Sequence, residues 1–152
     1  MQKLLFIILT LTSLLTAQMF QSVPKPQARL LQSGKDAPYC SSCGMYLVKF
    51  YKTSHAAKVN GVQKQFCSIH CLLSSIKNGK KVTDIKVVDT KTLQWIDAKK
   101  AYYVVGSKIK GTMSHISKYA FKNITDATMF QAKHGGKIMN FTQALQIAQK
   151  DF

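Results

Sequence analysis

The sequence predicts an α+β fold of two small, related units of strands and helix, preceded by a signal peptide and a linker. Short β-branched and aromatic runs alternate with segments whose apolar residues recur at helical spacing, and this order occurs in each half. The helical crossovers are too few for a doubly wound parallel sheet. We therefore divide the chain into a signal peptide at 1–17, a linker at 18–37 and a domain at 38–152, with units at about 38–90 and 91–152.

The first seventeen residues have the pattern of a secretory signal. Lys3 precedes an apolar run at 4–15, and the small residues Thr16 and Ala17 follow it. This run is shorter than the roughly 20 residues that a membrane span needs. We expect cleavage after Ala17 and export, with a retained anchor as the alternative. Gln18 occupies the position where a lipoprotein signal requires the lipidated cysteine, so no lipid anchor is expected.

The composition is that of a globular protein with a strong positive charge. Of the 152 residues, 46% are hydrophobic, and 22 Lys and Arg residues outweigh 6 acidic ones to give a net charge of +16. Arg29 is the single arginine, so forked contacts with phosphates are scarce and nucleic acid is not an expected partner of an exported protein. The charge indicates a solvated lysine-rich surface, or else attraction to an anionic membrane surface or an acidic protein.

The first unit is predicted to contain a strand, a β-hairpin and a helix. The β-branched and aromatic run at 46–51 favours a strand. An Asn60-Gly61 turn joins 56–59 to 63–66 in a hairpin. Ser68 can cap a helix that ends near Asn78, because apolar residues follow it at helical spacing.

The second half of the sequence repeats this order less clearly. Strands are predicted at 82–88 and 102–105. Thr125 can cap a short helix at 126–133, which Gly135 and Gly136 would end. A short strand at 138–139 and a closing helix at 142–150 complete the expected elements.

Four cysteines form two close pairs with the spacing of a metal site. Cys40 and Cys43 are separated by two residues and followed by Gly44, which permits a tight knuckle. Cys67 and Cys71 stand at i and i+4 at the start of the predicted helix, on one face of its first turns. A helix N-terminus also favours thiolate over thiol. The two pairs together are predicted to surround one metal ion.

Methionines and histidines nearby are candidate accessory ligands. Met45 follows Cys43 at i+2, and Met113 and His115 repeat that spacing after Gly111 in the second half. His70 lies inside the second cysteine pair. Thiolate and thioether ligands favour Cu(I), whereas four thiolates alone suit zinc equally well.

Two other uses of the cysteines remain open at this stage. In an oxidising compartment, four thiols can form two disulfides. Cys40 and Cys43 can also form a redox couple, although a strand-like segment follows them and not the helix that activates a thioredoxin-type thiol. A Ser/His/Asp set, a phosphate-binding glycine loop and paired catalytic carboxylates are not apparent in the sequence, so we expect a binding protein and not an enzyme.

The motifs of the chain resemble those of the NosL family, copper chaperones for the assembly of nitrous oxide reductase. The resemblance covers roughly 38–148 and is carried by these residues: Cys40-Ser-Ser-Cys43-Gly44-Met45-Tyr46, Val59-Asn60-Gly61, Phe66-Cys67, Tyr103-Val104-Val105-Gly106-Ser107, Gly111-Thr112-Met113, Ala120-Phe121, Asp126-Ala127 and His134-Gly135-Gly136.

The resemblance implies a periplasmic Cu(I) carrier that works with the periplasmic protein NosD and its ABC transporter to supply copper for the reductase. It also implies a fold of two related strand-helix units, similar to part of an organomercurial lyase but without its chemistry. By position, Met45 and Met113 match methionines of the family and become the leading candidate ligands, with Cys43 beside Met45. Cys67 and Cys71 make the site richer in thiolate than the family pattern, and their spacing is similar to that of treble-clef metal domains. That similarity keeps a structural zinc interaction module as the alternative function, ahead of a thiol-disulfide oxidoreductase.

Overall fold

The computed structural model describes residues 19–150. The predicted signal peptide at 1–17 lies outside them. In the part of the chain that is described, no helix combines the length and the apolar character that crossing a bilayer requires.

The first unit is a four-stranded antiparallel sheet with one helix. The strands are β1 (His55–Val59), β2 (Val62–Phe66), β3 (Val82–Val88) and β4 (Trp95–Asp97), in the order β2-β1-β3-β4. The predicted hairpin is confirmed: β1 and β2 pair from His55↔Phe66 to Val59↔Val62 around Asn60 and Gly61, which both have positive φ. Helix α1 (Ile69–Lys77) follows β2, and the hydroxyl of Ser68 accepts the backbone N–H of Cys71 as its cap.

The second unit is a three-stranded antiparallel sheet with two helices. Its strands are β5 (Tyr102–Val105), β6 (Lys118–Phe121) and β7 (Lys137–Met139), in the order β6-β5-β7. Helix α2 (Ile124–His134) joins β6 to β7, and helix α3 (Phe141–Gln149) closes the described chain. Asn140 caps α3 in a reciprocal capping box with Gln143.

The two units share one topology, which confirms the predicted pair of ββαβ units in an α+β fold. In each, a central strand pairs with the next strand on one side, a helix follows, and the strand after the helix pairs on the other side. Cys67 and Cys71 lie one residue before and three residues after Ser68, the cap of α1. The equivalent positions around the cap of α2 are held by Lys122 and Asp126. The cysteine pair is therefore a feature of the first unit alone.

The segment predicted as a strand at 46–51 is a 3-10 helix, Leu47–Thr53. The prediction was wrong because burial in this segment is not alternating. Leu47, Val48 and Tyr51 are all buried, whereas Lys49 between them is exposed. Adjacent side chains of a strand point to opposite faces, yet the neighbours Leu47 and Val48 are both buried in the protein core, so tertiary packing overrides the β propensity of the residues.

The predicted elements of the second unit are confirmed with shifted ends, and two strands were missed, β4 in the first unit and β6 in the second. Helix α2 begins after Asn123 and not after Thr125, whose side chain is exposed in the first turn. Strand β4 has three residues, and the β6 run Lys118–Phe121 is too short to show a period in the sequence.

The segment predicted as a flexible linker at 18–37 packs against the domain over its described part. Val23 is buried, and its N–H donates to the carbonyl of Val48. The side chain of Gln21 donates to the carbonyl of Lys110, and the Trp95 indole N–H donates to that of Arg29. Residues Lys25–Gln27 form a short 3-10 helix after Pro24, and the contacts that hold the segment come from distant residues.

The main hydrophobic core lies between the two units. It joins side chains of β1, α1, β5 and α3, including Leu72, Tyr103 and Phe141. A second core lies under α2, where Phe130 packs on Tyr119 and Phe121. The first of these cores reaches the cysteine pairs, because Cys40, Cys67 and Cys71 belong to it.

Candidate metal centre

The first cysteine pair lies in a compact knuckle that the backbone closes on itself. Tyr39 and Tyr46 form an isolated antiparallel bridge at its base. Within it, the N–H of Cys40 donates to the carbonyl of Met45 at 2.8 Å, and the N–H of Gly44 donates to that of Cys40 at 2.9 Å. Gly44 has φ +74°, a left-handed conformation that glycine adopts without steric cost. The predicted knuckle is therefore present.

The second pair lies at the junction of β2 and α1. Cys67 follows the last residue of β2, and Cys71 lies one helical turn later, with its N–H 3.3 Å from the Ser68 hydroxyl. The N–H of Cys67 donates to the sulfur of Cys40 at 3.4 Å. This bond joins the two pairs and directs a backbone donor at a sulfur, as in metal knuckles that stabilise thiolate.

The four sulfur atoms converge on one point. All four Sγ atoms lie within 4.8 Å of one another. The Sγ atom of Cys67 is 3.6 Å from that of Cys43 and 3.6 Å from that of Cys71. In a tetrahedral site with metal–sulfur bonds of ~2.3 Å, neighbouring sulfurs are about 3.8 Å apart. The cluster thus has the dimensions of a four-thiolate metal site.

The cysteines are free thiols, and the sulfur separations exceed the ~2.05 Å of a disulfide bond. The structure therefore does not contain the two disulfides of the alternative interpretation of these four cysteines.

The electrostatics of the cluster require a cation for full deprotonation. Hydrogen bonds from Cys67 and Cys71 hold the pKa of the Cys40 thiol well below its usual range. The same interactions raise the pKa of Cys67, and the hydrogen bond with Cys40, together with burial, raises that of Cys71 to about 12. A thiolate at Cys40 thus disfavours further thiolates beside it. A bound metal ion removes this repulsion, and its binding displaces protons.

Exposure separates one cysteine from the other three. Cys40, Cys67 and Cys71 are at most 4% exposed, whereas Cys43 lies on the surface of the knuckle. An ion in the cluster would have its protein shell open on the side of Cys43, from which an incoming ligand can approach.

A glutamine in the predicted linker holds the knuckle against β2. The side-chain oxygen of Gln32 accepts bonds from the Ser41 hydroxyl at 2.7 Å and the Gln65 N–H at 2.8 Å. Its amide nitrogen donates to the carbonyl of Tyr39 at 2.6 Å. The sequence does not reveal this role of Gln32, because a single glutamine in a segment without periodicity gives no signal.

The structure places His70, Met113 and His115 together, but in a separate cleft. They line a cavity of about 430 Å³ with Lys110, Gly111 and Ser114, beside the first turn of α1. The set of cysteine, histidine and acidic ligand atoms that converge among residues 19–150 contains the four cysteines and neither of these histidines. Met113 is 43% exposed and has φ +54°, rare for a residue with a side chain.

A pair of buried threonines links this cleft to the cysteine cluster. The hydroxyl of Thr53 lies 2.8 Å from that of Thr112, the neighbour of Met113, and donates to the carbonyl of Cys67 at 2.8 Å. Both threonines are buried. The loop that carries Met113 and the residue that begins the second cysteine pair therefore share one hydrogen-bond chain, which the sequence did not indicate.

Met45 lies half-buried beside the knuckle and packs against the main core. Its assignment as a ligand, like that of Met113, His70 and His115, stays a prediction.

The fold and the sulfur cluster together define a metal-binding α+β protein built on two ββαβ units. The sequence profile of the NosL family matches residues 32–147, and the chain belongs to this family. This confirms the family resemblance seen in the sequence.

Two relatives extend the comparison. Over 120 residues the chain is 32% identical to the copper-binding lipoprotein NosL of Stutzerimonas stutzeri, an alignment that covers 71% of this chain and 62% of that protein. The crystal structure of the copper chaperone NosL from Shewanella denitrificans matches with a TM-score of 0.61 and 26% identity, over 73% of this chain and 92% of that one. Both relatives carry names of metal-binding proteins, in line with the expectation that this chain is not an enzyme.

Proposed function

We propose that this chain binds Cu(I) at the four-cysteine cluster and passes it to a protein partner by ligand exchange. The observation that carries the proposal is the convergence of four Sγ atoms within 4.8 Å, three of them buried and one exposed. Thiolates are the ligands that soft Cu(I) prefers, and their burial limits oxidation of the site. The copper-binding names of the two relatives support the choice of metal.

Exchange begins at Cys43 in this proposal. A metallochaperone releases its ion when an incoming ligand bonds to the metal before an old bond breaks, and this needs an approach from solvent. Cys40, Cys67 and Cys71 are enclosed by the core, whereas Cys43 is on the surface. The buried sulfurs hold the ion, and Cys43 is the first to be replaced.

The cleft lined by His70, Met113 and His115 offers thioether and imidazole ligands apart from the cysteine cluster. Thioether and imidazole ligands hold Cu(I) more weakly than thiolates do, which suits a site of passage. The chain of hydrogen bonds from Thr112 through Thr53 to Cys67 supports communication between the cleft and the cluster. Met45, beside the knuckle, is the further thioether in this scheme.

We extend the proposal to the maturation of nitrous oxide reductase in the periplasm. A NosD-type protein with its ABC transporter is the proposed exchange partner, and the reductase is the eventual recipient of the copper. Two observations support this extension. The chain belongs to the NosL family, and its N-terminal segment has a lysine followed by an apolar run, a pattern typical of exported proteins. The curated relative is named as a lipoprotein, which supports an exported and membrane-associated setting.

A structural zinc site is the second candidate. The observation that favours it is the low exposure of three of the four sulfurs, as in a closed zinc site with four cysteine ligands. The two candidates differ in what removal of the metal does. A structural zinc ion is part of the folding free energy, whereas a cargo ion leaves a folded protein behind.

The test is a Cu(I) competition titration against a chelator under anaerobic conditions, with metal analysis of the exported protein. We expect one Cu(I) per chain and a loss of affinity of about tenfold or more in a Met45→Ala, Cys43→Ser variant. Ser42→Ala, an exposed neighbour in the same knuckle, is the control and should bind as the parent does. Unchanged affinity in the double variant would contradict the site. Stoichiometric zinc, with unfolding on chelation, would favour the structural alternative.

A further inference from the structure

A cleft on the second unit combines an aromatic floor with a basic rim. It has a volume of about 350 Å³ and lies between α2 and the start of the described chain. Phe130 of α2 forms the floor with Phe121 and Phe20, whose ring is 5.8 Å from that of Phe130. Met129 stands at the edge with 63% of its surface exposed. Met129 therefore extends the apolar surface of the floor to the edge of the cleft.

Three lysines line the same cleft. They are Lys52, Lys91 and Lys133, and Asp126 is also at the rim, so positive charge predominates. The amine of Lys52 lies 4.3 Å from the centre of the Phe20 ring, which holds the cation over the aromatic floor.

One buried hydroxyl in this cleft has no hydrogen-bond partner. Thr90 is 8% exposed, and among residues 19–150 its side-chain oxygen makes no hydrogen bond. Its backbone N–H donates to the carbonyl of Ala120, so the residue is otherwise fixed in place. A buried hydroxyl is normally paired, because leaving it unpaired costs free energy. Thr90 lines the same cleft as Lys52 and Lys91, so an oxyanion bound there is a candidate acceptor for this hydroxyl.

The path of the chain leads to this cleft. Met19, the first described residue, is 46% exposed and directly precedes Phe20. The apolar run at 4–15 stands a few residues earlier in the sequence. Because Phe20 belongs to the aromatic floor, a membrane contact at the N-terminal end of the described chain would bring this face close to lipid headgroups.

We propose that this face docks on an anionic phospholipid surface. A headgroup phosphate lies between Thr90, Lys52 and Lys91, and the side chain of Met129 reaches the boundary between the headgroups and the acyl chains. The phosphate supplies the acceptor that the Thr90 hydroxyl lacks, and Lys133 adds attraction at the rim. Met19 and Met129 become buried by apolar lipid on contact. An acidic protein segment would satisfy the lysines but would not account for exposed methionines at both edges.

The test measures binding of the exported protein to sedimented vesicles. We expect binding to vesicles of phosphatidylglycerol and phosphatidylcholine in equal parts, and none to phosphatidylcholine alone. Lys133→Gln should lower the partition coefficient about fivefold. Thr90→Val should lower it by a similar factor while the unfolding midpoint stays the same or rises, since the hydroxyl has no partner to lose. A residue needed only for the fold would show the opposite pattern.

The matched controls lie on the first unit. Lys64→Gln and Val62→Ser remove an exposed lysine and an exposed apolar side chain from β2, and both should bind vesicles as the parent does. Equal losses in Lys64→Gln and Lys133→Gln would mean that net charge alone drives binding, and equal losses in Val62→Ser and Met129→Ser would mean that any exposed apolar side chain suffices. Either result would overturn the proposal. So would saturation of the Thr90 site by inorganic phosphate without vesicle binding. Neither result bears on copper binding, so the two proposals can fail separately.

Discussion

The hydroxyl groups of Thr53 and Thr112 lie 2.8 Å apart inside the protein, although 59 residues separate them in sequence. Thr53 also donates to the carbonyl of Cys67 at 2.8 Å. The contact joins the two halves of the chain at the point where the cysteine cluster adjoins the loop that carries Met113. It makes the relative placement of the proposed copper ligands depend on two neutral side chains.

Removing Thr53 or Thr112 should therefore destabilise the protein, and the two losses in the free energy of unfolding should differ. Thr112→Val removes one bond but leaves the Thr53 hydroxyl its carbonyl acceptor, so we expect a loss of about 1 kcal/mol in the free energy of unfolding. Thr53→Val leaves both the Cys67 carbonyl and the Thr112 hydroxyl without this partner, so we expect about 2 kcal/mol. Urea denaturation of the two variants and of the double variant measures the coupling. Strict additivity of the two losses would contradict a direct bond.

A buried histidine should make stability depend on pH. His55 is fully buried against Thr53 and Tyr103, and burial lowers its pKa to about 4. The unfolded chain takes up a proton below pH 6.5, while the folded protein does not do so until about pH 4. Stability is therefore complete above pH 6.5 and falls by up to about 3 kcal/mol as the pH is lowered to 4.

The check is the difference in unfolding free energy between the parent and His55→Gln at a series of pH values. The variant should lack the decline that His55 causes, so the difference between the two proteins should shrink as the pH falls. A constant difference over this range would show that His55 takes up its proton as readily in the folded protein as in the unfolded chain.

The left-handed residue of the knuckle gives a third prediction. Gly44 has φ +74°, and a Cβ there would meet no atom within 4 Å, so the cost of substitution is conformational and not steric. Gly44→Ala should cost about 1–2 kcal/mol, and Gly44→Asn should cost less because asparagine tolerates this conformation better. Thermal unfolding ranks the two variants. Equal losses would mean that contacts and not φ make glycine necessary.

The cysteine variants should separate the two candidate metals. Structural zinc almost always has four ligands, whereas Cu(I) accepts fewer thiolates. Cys43→Ser should therefore weaken Zn²⁺ binding more than Cu(I) binding, and it removes the one exposed sulfur without opening a cavity in the core. Cys71→Ser, which changes a sulfur within the main core, should weaken both. Competition titrations with each metal give the ratio, and an equal loss for both metals in Cys43→Ser would contradict the copper assignment.

The sequence predicts the cysteine cluster well because its information is local. Cys40 and Cys43 are separated by two residues, and Cys67 and Cys71 stand at i and i+4 beside a capping serine. Each spacing places the two cysteines of a pair within about one turn of backbone. The Asn60-Gly61 turn then sets the register of the hairpin that joins them. None of these signals depends on contacts with residues that are distant in the sequence.

The remaining features depend on distant contacts and left no local signal. The 3-10 helix Leu47–Thr53 consists of residues with high β propensity, and its burial is decided by the core on which it packs. Gln32 braces the knuckle through partners on three other segments. The cleft of His70, Met113 and His115 could be inferred only as a set of ligand types, since the sequence could not show that it lies apart from the cysteines.

The repeated ββαβ topology bears on whether the fold of the protein needs a bound metal ion. Around the cap of α2, Lys122 and Asp126 occupy the positions that Cys67 and Cys71 hold at α1, and the second unit is filled by rings such as Phe130 and Tyr119. The same ββαβ backbone thus occurs twice in the molecule, once with and once without cysteines around the N-cap of its helix. A ββαβ unit that closes by aromatic packing without cysteines shows that this topology has no intrinsic need of a metal ion. If the first unit carries copper as proposed, the fold can persist when the cysteine cluster is empty.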